Sequence, residues 1–201
     1  MNLVNQYYQL HNRLFNENCF FSGLGPLALR LFLVPVFWVA GFNKLEGFDG
    51  VVYWFGESLG LPFPTLMAGL ATATEIFGAV LLLLGFATRW ISIPLMVTML
   101  VAIFSVHWPH GWQATHDLMS WGANENTAEA INRLSIARDI LQEHGNYEWL
   151  TEKGKIVSSN NGIEFGVTYF VMLFALFFSG GGKFFSVDYY LDRHFKKQTN
   201  Q

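Results

Sequence analysis

Glu75 is the residue most able to do chemistry in this sequence. It stands mid-way along an apolar stretch, residues 66–84, that carries no other ionisable side chain. A carboxyl group inside such a stretch is costly. It normally faces a bundle interior or a wet cavity, where it marks a proton, ion or substrate path. Ala68, Ala71, Thr72, Glu75, Gly78 and Ala79 fall on one helical stripe of small or polar residues. Stripes of this kind let membrane helices approach closely, so this face is expected to turn inward with Glu75 on it. A counter-charge is at hand. Arg30, Val34, Phe37, Gly41 and Lys44 follow one another at steps of four and three and share a face of an earlier apolar segment. At about 1.5 Å rise per residue, Arg30 lies about 8 Å from that segment's middle. The expectation is an intramembrane polar site of Arg30, Lys44 and Glu75, with Arg30 paired to Glu75 and Lys44 nearer the outer surface. A register-fixing charge pair, a quinone or proton site, and a contact for a partner subunit are all open for it.

A second set of candidates gathers near the outer mouth: Lys44, His107, His110, His116 and Glu164. Met99, Ile103 and His107 share a face, with Met96 one turn before, and Glu164, Thr168, Met172 and Ala175 share another. Imidazole and thioether ligands suit copper, which makes His107, His110 and His116 candidate metal ligands. Methionine in an apolar span is more often packing. Pro109 is expected to break the helix between the histidines. The sequence holds no GxSxG, no Walker-type phosphate loop and no HExxH. Gly180-Gly181-Gly182 before Lys183 is expected to end a helix. Cys19 is the sole cysteine, so neither an intramolecular disulfide nor a CxxC redox pair can form. The basic run 193–197 suits lipid headgroups and membrane orientation, not nucleic acid.

These residues must be positioned by apolar helices. Hydrophobic residues make up 52% of the chain and charged ones 13%, against about 25% charged in ordinary soluble domains. This balance argues against a soluble domain. Four apolar segments are expected to span a bilayer: residues 26–45, 66–84, 90–106 and 163–178, each near the roughly 20 residues that a crossing needs. Pro26 and Pro94 are placed in first helical turns, and Pro35 predicts a kink that a bundled membrane helix tolerates. Residues 1–22 lack a compact apolar core and a small-residue cleavage site, so the first span is expected to remain as an anchor. With four spans, one side of the membrane holds Arg13, Arg30, Arg89, Lys183, Arg193, Lys196 and Lys197 against Glu17, Asp188 and Asp192. By the positive-inside rule both termini are then cytoplasmic. Two segments would face outward. Residues 51–59 suggest a short interfacial helix. In the longer outer loop, 107–162, Asn126 with Glu129 resembles a helix cap, and Ile131, Leu134, Ile140 and Leu141 recur at helical spacing. Gly145 is a stop, 147–152 a further turn or two of helix, and 158–162 a turn into the last span. The fold class expected is all-α: a single membrane domain over 1–201, built as a four-helix bundle with a long, partly helical outer loop.

The order of short motifs resembles the DoxX family of small bacterial membrane proteins. Leu29-Arg30-Leu31 opens the first span and Gly41-Phe42-Asn43-Lys44 closes it. Then follow Gly60-Leu61-Pro62-Phe63-Pro64, Glu75 with Gly78, and Leu84-Gly85-Phe86-Ala87-Thr88-Arg89. Gly180-Gly181-Gly182-Lys183-Phe184-Phe185-Ser186-Val187-Asp188 is similar to the family's closing motif. Tyr53-Trp54-Phe55 with Glu57, the 61–64 motif and residues 91–107 are most similar to the HvfX branch. The resemblance implies a bacterial inner-membrane protein attached to a redox system, often as a non-catalytic or quinone-linked subunit of an oxidoreductase. The branch implies a link to copper-binding modified peptides. An accessory protein that docks a partner through the outer loop is the first expectation. A quinone-interacting subunit and a small transporter are the alternatives, with quinone or copper as the possible cofactor.

Overall fold

The computed structural model describes residues 3–15 and 20–199, which leaves Cys19 outside the described part. The described residues are mostly helical and contain no strand beyond an isolated bridge between Thr115 and Ser159. The α-helices are α1 (Leu3–Phe15), α2 (Leu24–Glu46), α3 (Phe48–Tyr53), α4 (Pro64–Leu84), α5 (Thr88–Ala102), α6 (Glu125–His144), α7 (Tyr147–Thr151), α8 (Glu164–Ser179) and α9 (Val187–Thr199). Three continuous helical stretches are long and apolar enough to cross a membrane: Phe21–Glu46, Pro64–Leu84 and Thr88–His110. The fourth expected span is the apolar but shorter α8, of 16 residues. By compactness the chain falls into two units, residues 1–99 with 169–201, and residues 100–168.

In the first unit, buried Leu33 and Phe37 of α2 cluster with Ala79 and Leu82 of α4, Leu95 of α5, and Leu173 and Leu176 of α8. The small residues of α4 make this possible. A side chain at Gly78 would come within 2.9 Å of the Leu95 methyls, and one at Gly41 within 2.7 Å of Ile76. The buried face of α4 is Ala68, Thr72, Glu75, Gly78, Ala79 and Leu82, so five of the six expected stripe residues turn inward; Ala71 is only half-buried, and Leu82 joins the face. Phe77, Trp90, Val97 and Phe178 point outward and are exposed, as lipid-facing residues must be.

Helix ends follow local chemistry. Pro64 starts α4 in its first turn, where the missing N–H costs nothing. Gly85 ends it in the left-handed region (φ 64°), with the Phe86 N–H on the Leu81 carbonyl at 3.0 Å. Helix α5 begins at Thr88, two residues earlier than expected, so Pro94 lies inside it and not in its first turn. The start is set from far along the chain: Asp188 accepts the N–H groups of Ala87 and Thr88 at 2.7 and 2.9 Å.

In the second unit the apolar helix runs beyond the expected end at 106. It passes through a π turn (Ile103–His107) and a 3-10 turn (Trp108–His110) and stops at Gly111, whose φ is 73°. Pro109 is accommodated in the first turn of the 3-10 segment, where no donor is needed. Residues 111–116 then run beside 158–164. Backbone bonds join His116 to Ser158, Asn160 and Asn161 to Ala114, and Gly162 to Gln113. The stretch 158–162 is therefore a paired segment that leads into α8, where a turn into the last span was expected. Gly162 permits the pairing, since a Cβ there would meet the Gln113 carbonyl oxygen at 2.4 Å. Helix α6 is capped by Asn124, whose side chain accepts the Thr127 N–H while the Thr127 hydroxyl accepts the Asn124 N–H. The expected Asn126–Glu129 cap is thus two residues late. A hydroxyl took the role assigned to an acid. Gly145 ends α6, and α7 follows over the expected residues.

Candidate functional site

The intramembrane carboxyl group is paired, and its partner is Lys44. Lys44 Nζ lies 2.7 Å from Glu75 Oε2 and 2.9 Å from Oε1. The Glu75 side chain is 4% exposed and that of Lys44 25%. Gly41 brings the two helices together beside this pair: a Cβ there would stand 3.2 Å from that of Glu75. One turn before Glu75, the Thr72 hydroxyl donates to the Ala68 carbonyl at 2.8 Å, so it is satisfied within its own helix. The pair therefore sits on close-packed backbone, with its cationic end facing partly outward.

Arg30 does not reach Glu75, which corrects the expected pairing. It is fully buried. Its Nη1 donates to the Leu82 carbonyl at 2.9 Å and the Leu83 carbonyl at 3.3 Å, and its Nη2 to the Phe185 carbonyl at 2.8 Å. The reason is helical arithmetic. With Gly41 opposite Glu75 and Ile76, Arg30 stands eleven residues, about 16 Å, back along α2. That places it at the C-terminal end of α4, where carbonyls have no intrahelical donor and a cation is favoured. Gly85 makes room for it, because a Cβ at that position would lie 2.6 Å from Nη1. The three residues expected to form one polar site thus divide into a Lys44–Glu75 pair and a separate Arg30 knot.

The Arg30 knot draws in residues whose types alone announce no chemistry. The 182–188 segment supplies the Phe185 carbonyl to Arg30 and the Asp188 carboxylate to the start of α5. The Asp188 N–H returns to the Gly85 carbonyl at 3.0 Å, and the Ser186 hydroxyl caps α9 through the Tyr189 N–H at 3.3 Å. Backbone carbonyls carry no side-chain signature. The traces of this arrangement in the sequence are the short motifs around Arg30, Gly85–Thr88 and Ser186–Asp188, none of which names a bonding partner.

The histidines are not brought together as a ligand set. His107 Nδ1 lies 2.7 Å from the Asn161 carbonyl and His116 Nδ1 3.1 Å from the Ser158 hydroxyl, while the His110 carbonyl accepts from Asn160 Nδ2 at 2.6 Å. Glu164, also expected at this mouth, accepts the Ala114 N–H at 3.0 Å. Among the described residues, no three His, Cys, Asp or Glu side chains form a group that could hold a metal ion. The polar residues of the 107–162 segment instead tie its own backbone together. Met96 and Met99 border the apolar cluster and act as packing.

Comparison with known proteins agrees with the motif order. The family model described as DoxX matches residues 25–108, which include α2, α4, α5 and the Lys44–Glu75 pair. "Putative oxidoreductase CatD" of Bacillus subtilis is 37% identical over 83 residues, 41% of this chain and 60% of that protein, so the chain spans less than two thirds of its length. "Inner membrane protein YphA" of Escherichia coli is 37% identical over 116 residues, 55% of this chain and 80% of the relative. No solved structure matches the chain. With its three membrane-length apolar helices, the chain belongs to the DoxX family and is a multi-pass inner-membrane protein.

Proposed function

We propose that this chain is an accessory inner-membrane protein of a redox system and that it holds a protein partner on the segment 107–162. The observation that carries this reading is the apolar tip of that segment. Met119 is 93% exposed and Trp121 79%, with Leu118 exposed beside them. They stand on a fixed base. Trp121 lies against Trp112 at 4.8 Å between ring centroids, and the Gln113 side chain bonds Asp117 and Thr127. Aromatic and methionine side chains held out on a rigid base are the usual anchors of protein interfaces. The name of CatD supports the redox setting. In this reading α8 is the fourth span, about 24 Å of helix at 16 residues. It completes a four-helix bundle with both termini cytoplasmic and the tip outside. The test is affinity purification of the full-length chain from mildly cross-linked native membranes, beside a Leu118→Ser/Met119→Ser/Trp121→Ser variant. A specific partner should co-purify with the former and be lost from the latter. Equal recovery with both would remove the tip as the docking site.

A second reading, a quinone-interacting subunit, is favoured by the partly exposed Lys44 held on buried Glu75. An ammonium group so placed can donate to a quinone carbonyl while its partner keeps it in position. Purified protein should retain quinone, and Glu75→Gln should lower that retention. Unchanged retention would detach Glu75 from any such site. Copper handling, implied by the HvfX resemblance, has the least support, since the His107 and His116 rings bond different partners and, among the described residues, no three His, Cys, Asp or Glu side chains form a group that could hold a metal ion.

A further inference from the structure

We propose that α9 is a membrane-interface helix that lies on the bilayer surface next to the α4–α5 turn and engages anionic lipid headgroups. Two independent observations carry this. The first is where α9 starts. Asp188, in its first turn, is bound through its carboxylate to Ala87 and Thr88 and through its N–H to Gly85. Those residues join two membrane-length helices, so the start of α9 is fixed at the level where the spans leave the lipid. Exposed Phe86 and Trp90 flank the same turn, and aromatic residues favour that level of a bilayer.

The second is the pattern of α9 itself. Val187, Tyr190, Leu191 and Phe195 fall on one side at helical spacing, and all are exposed, Tyr190 by 56% and Phe195 by 60%. Asp192 and Lys196 occupy the opposite side, where Lys196 Nζ reaches Asp192 at 2.6 Å, while Asp188 borders the strip beside Phe195 and His194 falls within it. Arg193 lies on the flank between the two. An apolar strip left uncovered on a helix anchored at a bilayer surface is covered by the lipid beside it. A flanking guanidinium can extend its apolar stem along that surface and set its charge among phosphates. Within the segment 183–197, Lys183, Arg193, Lys196 and Lys197 outnumber Asp188 and Asp192, which favours anionic over neutral headgroups.

The test uses the full-length chain in lipid nanodiscs, with a nitroxide on a single cysteine at Leu191, Phe195 or Lys196 in a Cys19→Ser background. Collision with oxygen, which concentrates in lipid, is compared with collision with a water-soluble nickel chelate. In discs of phosphatidylcholine with phosphatidylglycerol, positions 191 and 195 should favour oxygen several-fold over position 196. The contrast should shrink in phosphatidylcholine alone. Equal nickel access at 191 and 196 would place α9 in water and overturn the proposal. Protection of 191 from both reagents would mean that protein, not lipid, covers the strip, which overturns it equally. No contrast between the two lipid mixtures would refute the anionic-headgroup part.

Discussion

Removing Lys44 while keeping Glu75 is the sharpest perturbation the structure offers. Lys44→Met keeps the length of the side chain and deletes its charge, which leaves a carboxyl group whose side chain is 4% exposed without its partner. Breaking a fully buried pair from one side costs about 3–5 kcal/mol. Lys44 is 25% exposed, so water screens the pair in part and the lower figure, about 3 kcal/mol, is the one expected. For a chain of this length that corresponds to a fall in Tm of roughly 6–12 °C. The opposite change, Glu75→Gln, leaves an ammonium group that can turn to solvent and should cost only about 1 kcal/mol. Because the two side chains act as one unit, the Lys44→Met/Glu75→Gln double variant should be about 2 kcal/mol more stable than the sum of the singles predicts. The assay is thermal unfolding of the four proteins in one detergent. If the two singles cost the same, or if their costs add in the double variant, the carboxyl group is not held by Lys44 and the described site is wrong.

Two further predictions concern helix ends. Asn124→Ala should destabilise α6 by about 1 kcal/mol, whereas Asn126→Ala should change it by a few tenths at most; amide hydrogen exchange over residues 125–130 distinguishes them. Gly85→Ala should destabilise the first unit more than Asp188→Ala, which loses a cap of about 1–2 kcal/mol. The glycine change adds left-handed backbone strain to a clash with the Arg30 guanidinium. Thermal unfolding of the two variants side by side gives the order.

How much of this could be read in the sequence depended on whether the signal was local. The inward face of α4 was legible because a run of small residues around one acid has a single physical explanation in lipid. The segments containing α2, α4, α5 and α8 were legible because apolar length is a local property. The partner of Glu75 was not. Arg30 and Lys44 share a helical face, and choosing between them needed the register of α2 on α4, which Gly41 sets by letting Ile76 and Glu75 approach. The destination of Arg30 was hidden for a different reason, since a carbonyl cluster at a helix end is invisible in side-chain types. The start of α5 was missed because its cap lies 100 residues away. The cap of α6 was misplaced because Asn126 with Glu129 matches the acid form of the capping motif, whereas the box is closed by the Thr127 hydroxyl on Asn124.

The proposed arrangement, a docking segment on one face of the membrane and the C-terminal helix on the other, stands or falls on whether α8 crosses the bilayer. Single cysteines at Met119 and Lys196, each in a Cys19→Ser background, should be reacted with a membrane-impermeant maleimide in spheroplasts before and after permeabilisation. The account predicts that position 119 is labelled in intact spheroplasts and position 196 only after permeabilisation. Labelling of both, or of neither, before permeabilisation would put the two on one side, limit the chain to three spans and contradict the proposed topology.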